Sequence, residues 1–340
     1  MRKLKTNKQL KRFLITLTFI YAFSIFIFCF AVISHLNASI VTDSASQGSV
    51  TNTKTDSSEN QNLFITNVPS RAENISFSYD DKYCTYLYNS EIYIKETASN
   101  KLVKKIYEKP GIKKFMLMGN RNIIMYFCTL NGRLKLKTYN IESGLMTIQK
   151  SFFIPKNSKL KSVDYSSATN LIFVNMEQGN GNNKKDNIYY INIMKNVKRI
   201  VPGHLVNSML LANNSPALYF EDGNNNLYCH SKLISGVKRA HIIGCDVNDN
   251  VYARSLVDKS KIYVVDNNKL ITTQKLNDLN FIGFYTNKSD VYVIYKNYII
   301  NLTSKAKLTY NNNLKFIGMG GLNVYFRDNN NNIVGMNRTI

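Results

Sequence analysis

The stretch "ENISFSYDDKYCTYLYNSEIYIKE" (73–96) alternates apolar and polar residues in three short runs, broken by Asp-Asp-Lys and by Asn-Ser. Alternation at period two puts every second side chain on one face, so each run predicts a strand. The breaks are turns, because Asn, Asp and Ser tolerate left-handed backbone angles and bond their own main chain. The phrase recurs: similar units begin near residues 75, 113, 160, 207, 241, 280 and 314. Their spacing of roughly 35 to 46 residues is that of a four-stranded propeller blade. Each unit reads as a short strand, a polar turn, an aromatic-rich strand, a second turn, a third strand and a shorter fourth. Helical periodicity is absent from this part of the chain.

Residues 62–340 are therefore expected to form an all-β domain, a seven-bladed β-propeller, or a six- or eight-bladed one if a weak unit is miscounted. A solenoid or sandwich is the other all-β option, but four strands per unit at blade spacing favour a closed ring. The last unit reads as three strands, ending at Ile340, while "NLFITNV" (62–68) precedes the first unit and belongs to none. An open strand edge invites mispairing. Residues 62–68 are expected to pair as the fourth strand of the last blade and clasp the ring shut.

The pattern changes before the repeats. "MRKLKTNKQLKR" (1–12) holds six basic residues and no acid, and the twenty-one residues 13–33 hold no charge. As a helix at 1.5 Å per residue, 13–33 would span roughly 31 Å, about the thickness of a bilayer core. The basic flank orients such a span with its N-terminus in the cytoplasm. A cleaved signal peptide would have a shorter apolar region and a small-x-small site, for which Leu36 before Ala38 and Asp43 before Ala45 are poor. The expected organisation is a cytoplasmic basic tail (1–12), an uncleaved transmembrane helix (13–33), a flexible Ser/Thr/Asn-rich linker (37–61) and an extracytoplasmic propeller (62–340).

One unit carries a family resemblance. "FSYDDKYCTYL" is similar to the "SPDGKYIAF"-type phrase of WD-like propeller repeats, found in the periplasmic Tol-system propeller and in the propeller portions of dipeptidyl-peptidase-like proteins. The matching positions are Ser78, Asp80, Asp81, Lys82, Tyr83 and the alternation at Thr85–Leu87, with Tyr79 and Asp81 standing where Pro and Gly are usual. The resemblance implies a propeller whose phrase shapes a turn, and it implies no catalytic residue.

Tests for chemistry narrow the function classes. A peptidase of that group would need an α/β-hydrolase domain with a G-x-S-x-G elbow, which the sequence lacks. The four histidines (His35, His204, His230, His241) are scattered and no C-x-x-C occurs, so no metal site or cofactor is expected. "DGNNN" (222–226), "DVNDN" (246–250) and "DNNNN" (328–332) are oxygen-rich but lack the full calcium-loop pattern with its late Glu, and read as turns. Cys84, Cys128, Cys229 and Cys245 fall in predicted strands. A domain of this size has core enough without staples, so they are expected as buried thiols.

Charge points to one surface. The tail and span carry +6 and the linker −2, leaving +18 of the chain's +22 on the propeller. Basic residues recur where inner strands begin: Lys113 and Lys114, Lys159 and Lys161, Arg239 with His241, and Lys315. In a propeller these positions share a face around the central channel, so they form a candidate cationic collar for anionic ligands. The expected function is binding without catalysis: a membrane-anchored scaffold for an envelope protein or an anionic cell-wall polymer, with no nucleic acid. An accessory or sensor subunit of a membrane enzyme or transporter is the alternative, and a hydrolase or lyase sited in the channel the third. The loop "GNGNNKKDN" (179–187) is expected to be a disordered blade edge, with a contact arm as the alternative.

Overall fold

The computed structural model describes residues 63–65 and 68–338, except 201, 204 and 288. The basic tail, the expected span at 13–33 and the linker at 37–61 lie outside the described residues. The described strands form seven four-stranded antiparallel sheets; six are inner-to-outer meanders of consecutive strands, and the last takes its outer strand from residues 63–65. These are the seven expected blades. The inner strands are Glu73–Phe77, Ile112–Leu117, Ser158–Ser166, Val206–Leu211, Ala240–Cys245, Gly283–Thr286 and Lys315–Met319. The inner strand of blade 7 meets that of blade 1, so the ring closes.

The expected clasp is present. Leu63–Ile65 is the outer strand of blade 7, with Leu63 opposite Gly335, Phe64 opposite Val334 and Ile65 opposite Ile333. Residues 62, 66 and 67 of the expected 62–68 segment lie outside the described residues.

The core is divided rather than central. Seven clusters of buried apolar residues each fill one gap between adjacent blades, and each draws side chains from both walls. A second strand is therefore buried on both faces, which explains near-continuous apolar runs such as Ile123–Leu130. Tyr126 packs towards blade 1 while Phe127 packs towards blade 3. At the closing gap Phe77 stacks on Tyr325, with ring centroids 3.6 Å apart.

The family-like phrase also acts at this gap. Ser78 Oγ donates to Asp80 Oδ1 at 2.7 Å and accepts from the Tyr83 amide at 2.9 Å, which builds the turn. Asp81, where Gly is usual, has φ = 59°. Its carboxylate accepts from the Leu322 amide (2.6 Å) and the Tyr325 hydroxyl (2.9 Å), tying blade 1 to blade 7. The approach is so close that a Cβ on Gly321 would lie 1.8 Å from the Tyr79 carbonyl oxygen.

Residues 179–187 differ from expectation. Gly181–Asn183 makes a 3-10 turn and the third strand of blade 3 already begins at Lys185. The loop is folded because Asp186 is buried within it and because Lys184 pairs with Glu177 at 3.0 Å. In the three Asp-x-Asn-x-Asn turns, the Asp222, Asp246 and Asp328 carboxylates accept amides two and four residues on, plus the side-chain amide of the fourth. Their oxygens are thus committed to the turns themselves. Cys84, Cys128, Cys229 and Cys245 are buried thiols, and burial pushes Cys84 up to about 12.

Candidate functional site

Because strands alternate in direction, the starts of the first and third strands share a face with the ends of the second and fourth. On this upper face the backbone carries a feature that alternation alone did not reveal. The inner strand is bulged in six blades, at 73–76, 112–114, 160–162, 206–208, 242–244 and 316–318. A bulge adds one residue, sharpens the local twist and re-aims side chains at a rim. Lys113 and Lys161 are two of these extra residues.

The seven collar residues all lie at or beside the beginning of an inner strand, on blades 2, 3, 5 and 7, but their surroundings differ. Blade 1 presents an exposed acid, Glu73, at the corresponding place. Lys161 is held by Asp186 (3.3 Å) and Glu177 (3.8 Å). His241 Nδ1 lies 3.1 Å from Glu221 Oε1, and this hydrogen bond raises its pKa above the usual value, against opposition from burial and from Arg254. Lys114 is half-buried, and burial pulls its pKa down while Asp164 opposes the shift. Lys113, Lys159, Arg239 and Lys315 are exposed and make no ion pair with a described residue.

The carboxylates in this layer are buried and were not distinguished by the sequence from ordinary strand-end acids. Asp186 Oδ2 accepts the Val206 amide of blade 4 at 2.6 Å. Glu221 accepts from Ser208 Oγ at 2.6 Å and from the Ile242 amide of blade 5. Towards the opposite end of the inner strands, Asp164 accepts the Leu211 amide at 2.6 Å. Each joins one blade to the next blade's inner strand. Asp186 and Glu221 thereby tie Lys161 and His241 of the candidate collar into the joints between blades.

The gap between blades 7 and 1 is built differently. Its upper end is a cavity of about 360 Å³ lined by Ala72, Asn74, Ile75, Lys315, Phe316, Ile317 and Arg327. Two of these are cations and none is an acid. Arg327 closes the second strand of blade 7, opposite Lys315. Its Nη1 reaches the Ser70 carbonyl only at 3.5 Å, and its Nε and Nη2 are buried without a hydrogen-bond partner. A buried polar group without a partner costs free energy, more so when charged. Arg254, at the corresponding position of blade 5, also has a buried Nε without a hydrogen-bond partner, but its guanidinium lies over the Phe281 and Phe284 rings, at 5.3 and 5.9 Å. Sequence reading missed Arg327, since "VYFRDNN" looks like any strand running into a turn. An arginine directly across the first pair of inner-strand residues from a collar lysine was the available signal. Among the described residues no group of three metal-ligating side chains occurs.

No family model matches the chain, and no curated protein matches it. Solved structures do match, 617 chains in all, so the likeness identifies a widely shared architecture rather than a relative. The WD40 repeats of RRP9 align over 81% of this chain and 97% of theirs, with a TM-score of 0.52 and 8% identity. Sqt1 of Saccharomyces cerevisiae aligns over 77% of this chain and 83% of its own, with a TM-score of 0.47 and 12% identity. At such identity the likeness concerns the fold alone: this chain contains a seven-bladed β-propeller with WD40-like structural neighbours.

Proposed function

We propose that the chain is a membrane-anchored, extracytoplasmic binding module whose upper face takes an anionic envelope ligand, a wall polymer in the first instance. The observation that carries this reading is the cavity between blades 7 and 1, where Lys315 and a guanidinium with two buried, unpartnered nitrogens meet no carboxylate among the lining residues. An anion would supply the missing acceptors, with planar bidentate geometry suited to a carboxylate or phosphate. Lys113, Lys159 and Arg239 on the same face add long-range attraction, consistent with the propeller's +18 charge. The anchor rests on the length and lack of charge of 13–33, and the orientation on the basic residues of 1–12. No catalysis is proposed.

The test is capture of purified anionic wall polymer by the full chain in mild detergent, at low and high salt. Salt-sensitive capture, reduced about tenfold when Lys315 and Arg327 become Met, supports the reading. Capture that ignores both substitutions sinks it, and salt-insensitive recovery of one protein replaces it with a protein scaffold. Protease added to intact cells should remove a C-terminal tag and spare an N-terminal one. The reverse pattern would overturn the orientation.

A further inference from the structure

The lower face carries a second recess, unrelated to the collar. Between blades 2 and 3 lies a cleft of about 240 Å³. Its walls are apolar: Met118, Met125 and Leu136 come from blade 2, and Leu171, Ile172 and Ile191 from blade 3. Several of the polar groups in these walls are already engaged. The Gly119 amide donates to Tyr165 Oη at 2.7 Å, Gln149 Nε2 donates to Thr138 Oγ1 at 2.7 Å, and Ser166 Oγ donates to the Asn213 carbonyl. A ligand inside would find hydrocarbon surface and few hydrogen-bonding groups, a setting in which burial of an apolar chain is the main favourable term.

The lining has a sign as well. Arg121, Lys150 and Lys195 are among the lining residues, no acid is, and none of the three makes an ion pair with a described residue. Arg121 stands in the turn between the first two strands of blade 2, where its Nε donates to Asn120 Oδ1 at 3.1 Å. Lys195 stands in the turn 192–196 of blade 3, in a left-handed conformation. The same turn holds Ile193 and Met194 in solvent, 67% and 75% exposed, and Ile193 also lines the cleft. Apolar walls, an apolar lip and cations without acids together describe the complement of a chain that is greasy along its length and negative at its end. The volume is below the roughly 300–1,000 Å³ of a pocket that swallows a whole ligand, so the recess takes a tail and leaves the head at the mouth.

We propose that the cleft between blades 2 and 3 binds a single-chain anionic amphiphile of the fatty-acid class, with its tail between Met125, Leu136 and Ile172 and its carboxylate at Arg121 and Lys195. This site is independent of the upper-face reading, since it shares no residue with it. A carboxylate held there gains a charge-assisted hydrogen bond from the guanidinium, which an alcohol of the same chain length does not.

The test uses the full chain in its membrane with a diazirine-bearing decanoate as probe, followed by mapping of the labelled peptides. Labelling should concentrate in segments 118–125 and 191–195, fall at least fivefold with excess decanoate, and change little with excess decanol. Arg121→Ala combined with Lys195→Ala should reduce it at least fivefold while leaving the melting temperature unchanged. Ile193→Glu, at an exposed position, should do the same by placing an acid at the lip. Labelling spread over other segments, or competition by decanol as strong as by decanoate, overturns the proposal. Unchanged labelling in either variant that retains the wild-type melting temperature overturns it as well.

Discussion

The 4/5 and 7/1 junctions lie on the same face and are built from the same four-strand unit, yet near the end of the second strand they place opposite charges. Glu221 in blade 4 is sealed from solvent and surrounded by three partners: Ser208, the Ile242 amide and His241. Arg327 in blade 7 has two sealed nitrogens and no partner for either. Arg254 in blade 5 stands between these extremes, its guanidinium placed over two aromatic rings. The difference teaches that a buried charge has no fixed meaning. Where neighbouring blades complete its hydrogen bonds it rivets the ring, and where they do not its donors stay open, which is why an outside anion is proposed for Arg327.

Breaking the rivet should have the largest effect. Glu221→Ala leaves the buried Ile242 amide and the half-buried Ser208 hydroxyl without their acceptor and is expected to cost about 3–5 kcal/mol, read by chemical denaturation. A loss below about 1 kcal/mol would show that the carboxylate is not structural. At the lower end of the 7/1 gap, Gly321→Ala sets a Cβ against the Tyr79 carbonyl and should cost about 2 kcal/mol through forced separation of the two turns. An unchanged melting temperature would mean that the Asp81 contact gives way without strain.

Arg327→Met sharpens the contrast, because it removes a buried charge that lacks partners. Stability should stay level or rise by up to about 1 kcal/mol while salt-sensitive polymer capture falls about tenfold. A marked loss of stability would instead assign the guanidinium a structural partner.

The smallest effect is a pH dependence at the 4/5 junction. His241 has its pKa raised by Glu221, with Arg254 acting against the shift. Its contribution is therefore fully present below the ordinary histidine value of about 6.5 and lost as pH rises through the folded value. Melting temperatures measured from pH 5.5 to 9 should show this decline in wild type and lose it in His241→Gln. Parallel curves would remove the histidine from the junction.

Much of the architecture was legible without coordinates. Seven units, their polar turns and the N-terminal clasp follow from period-two alternation and from turn residues that act on their own backbone. Asp81 was visible as a departure from the family-like phrase, but its reach to Leu322, 241 residues away, was not. The collar was visible as a recurrence of cations. Which of them were already committed was not, because Lys161 and His241 differ from Lys113 and Arg239 only in the acids that folding brings beside them. The cleft between blades 2 and 3 was illegible for the same reason, since its walls come from two units that each look ordinary alone.

Alternation, turn chemistry and repeat length act between residues a few positions apart, so the sequence by itself determined the strands, the blade count and the need for a clasp. The bulges, the buried carboxylates, the isolation of Arg327 and the pairing of apolar walls with a cationic lip were decided only in the tertiary structure. Each depends on groups from different strands or blades, from Asp186 and Val206, 20 residues apart, to Asp81 and Leu322. Their desolvation and pairing exist only once the ring has closed around them.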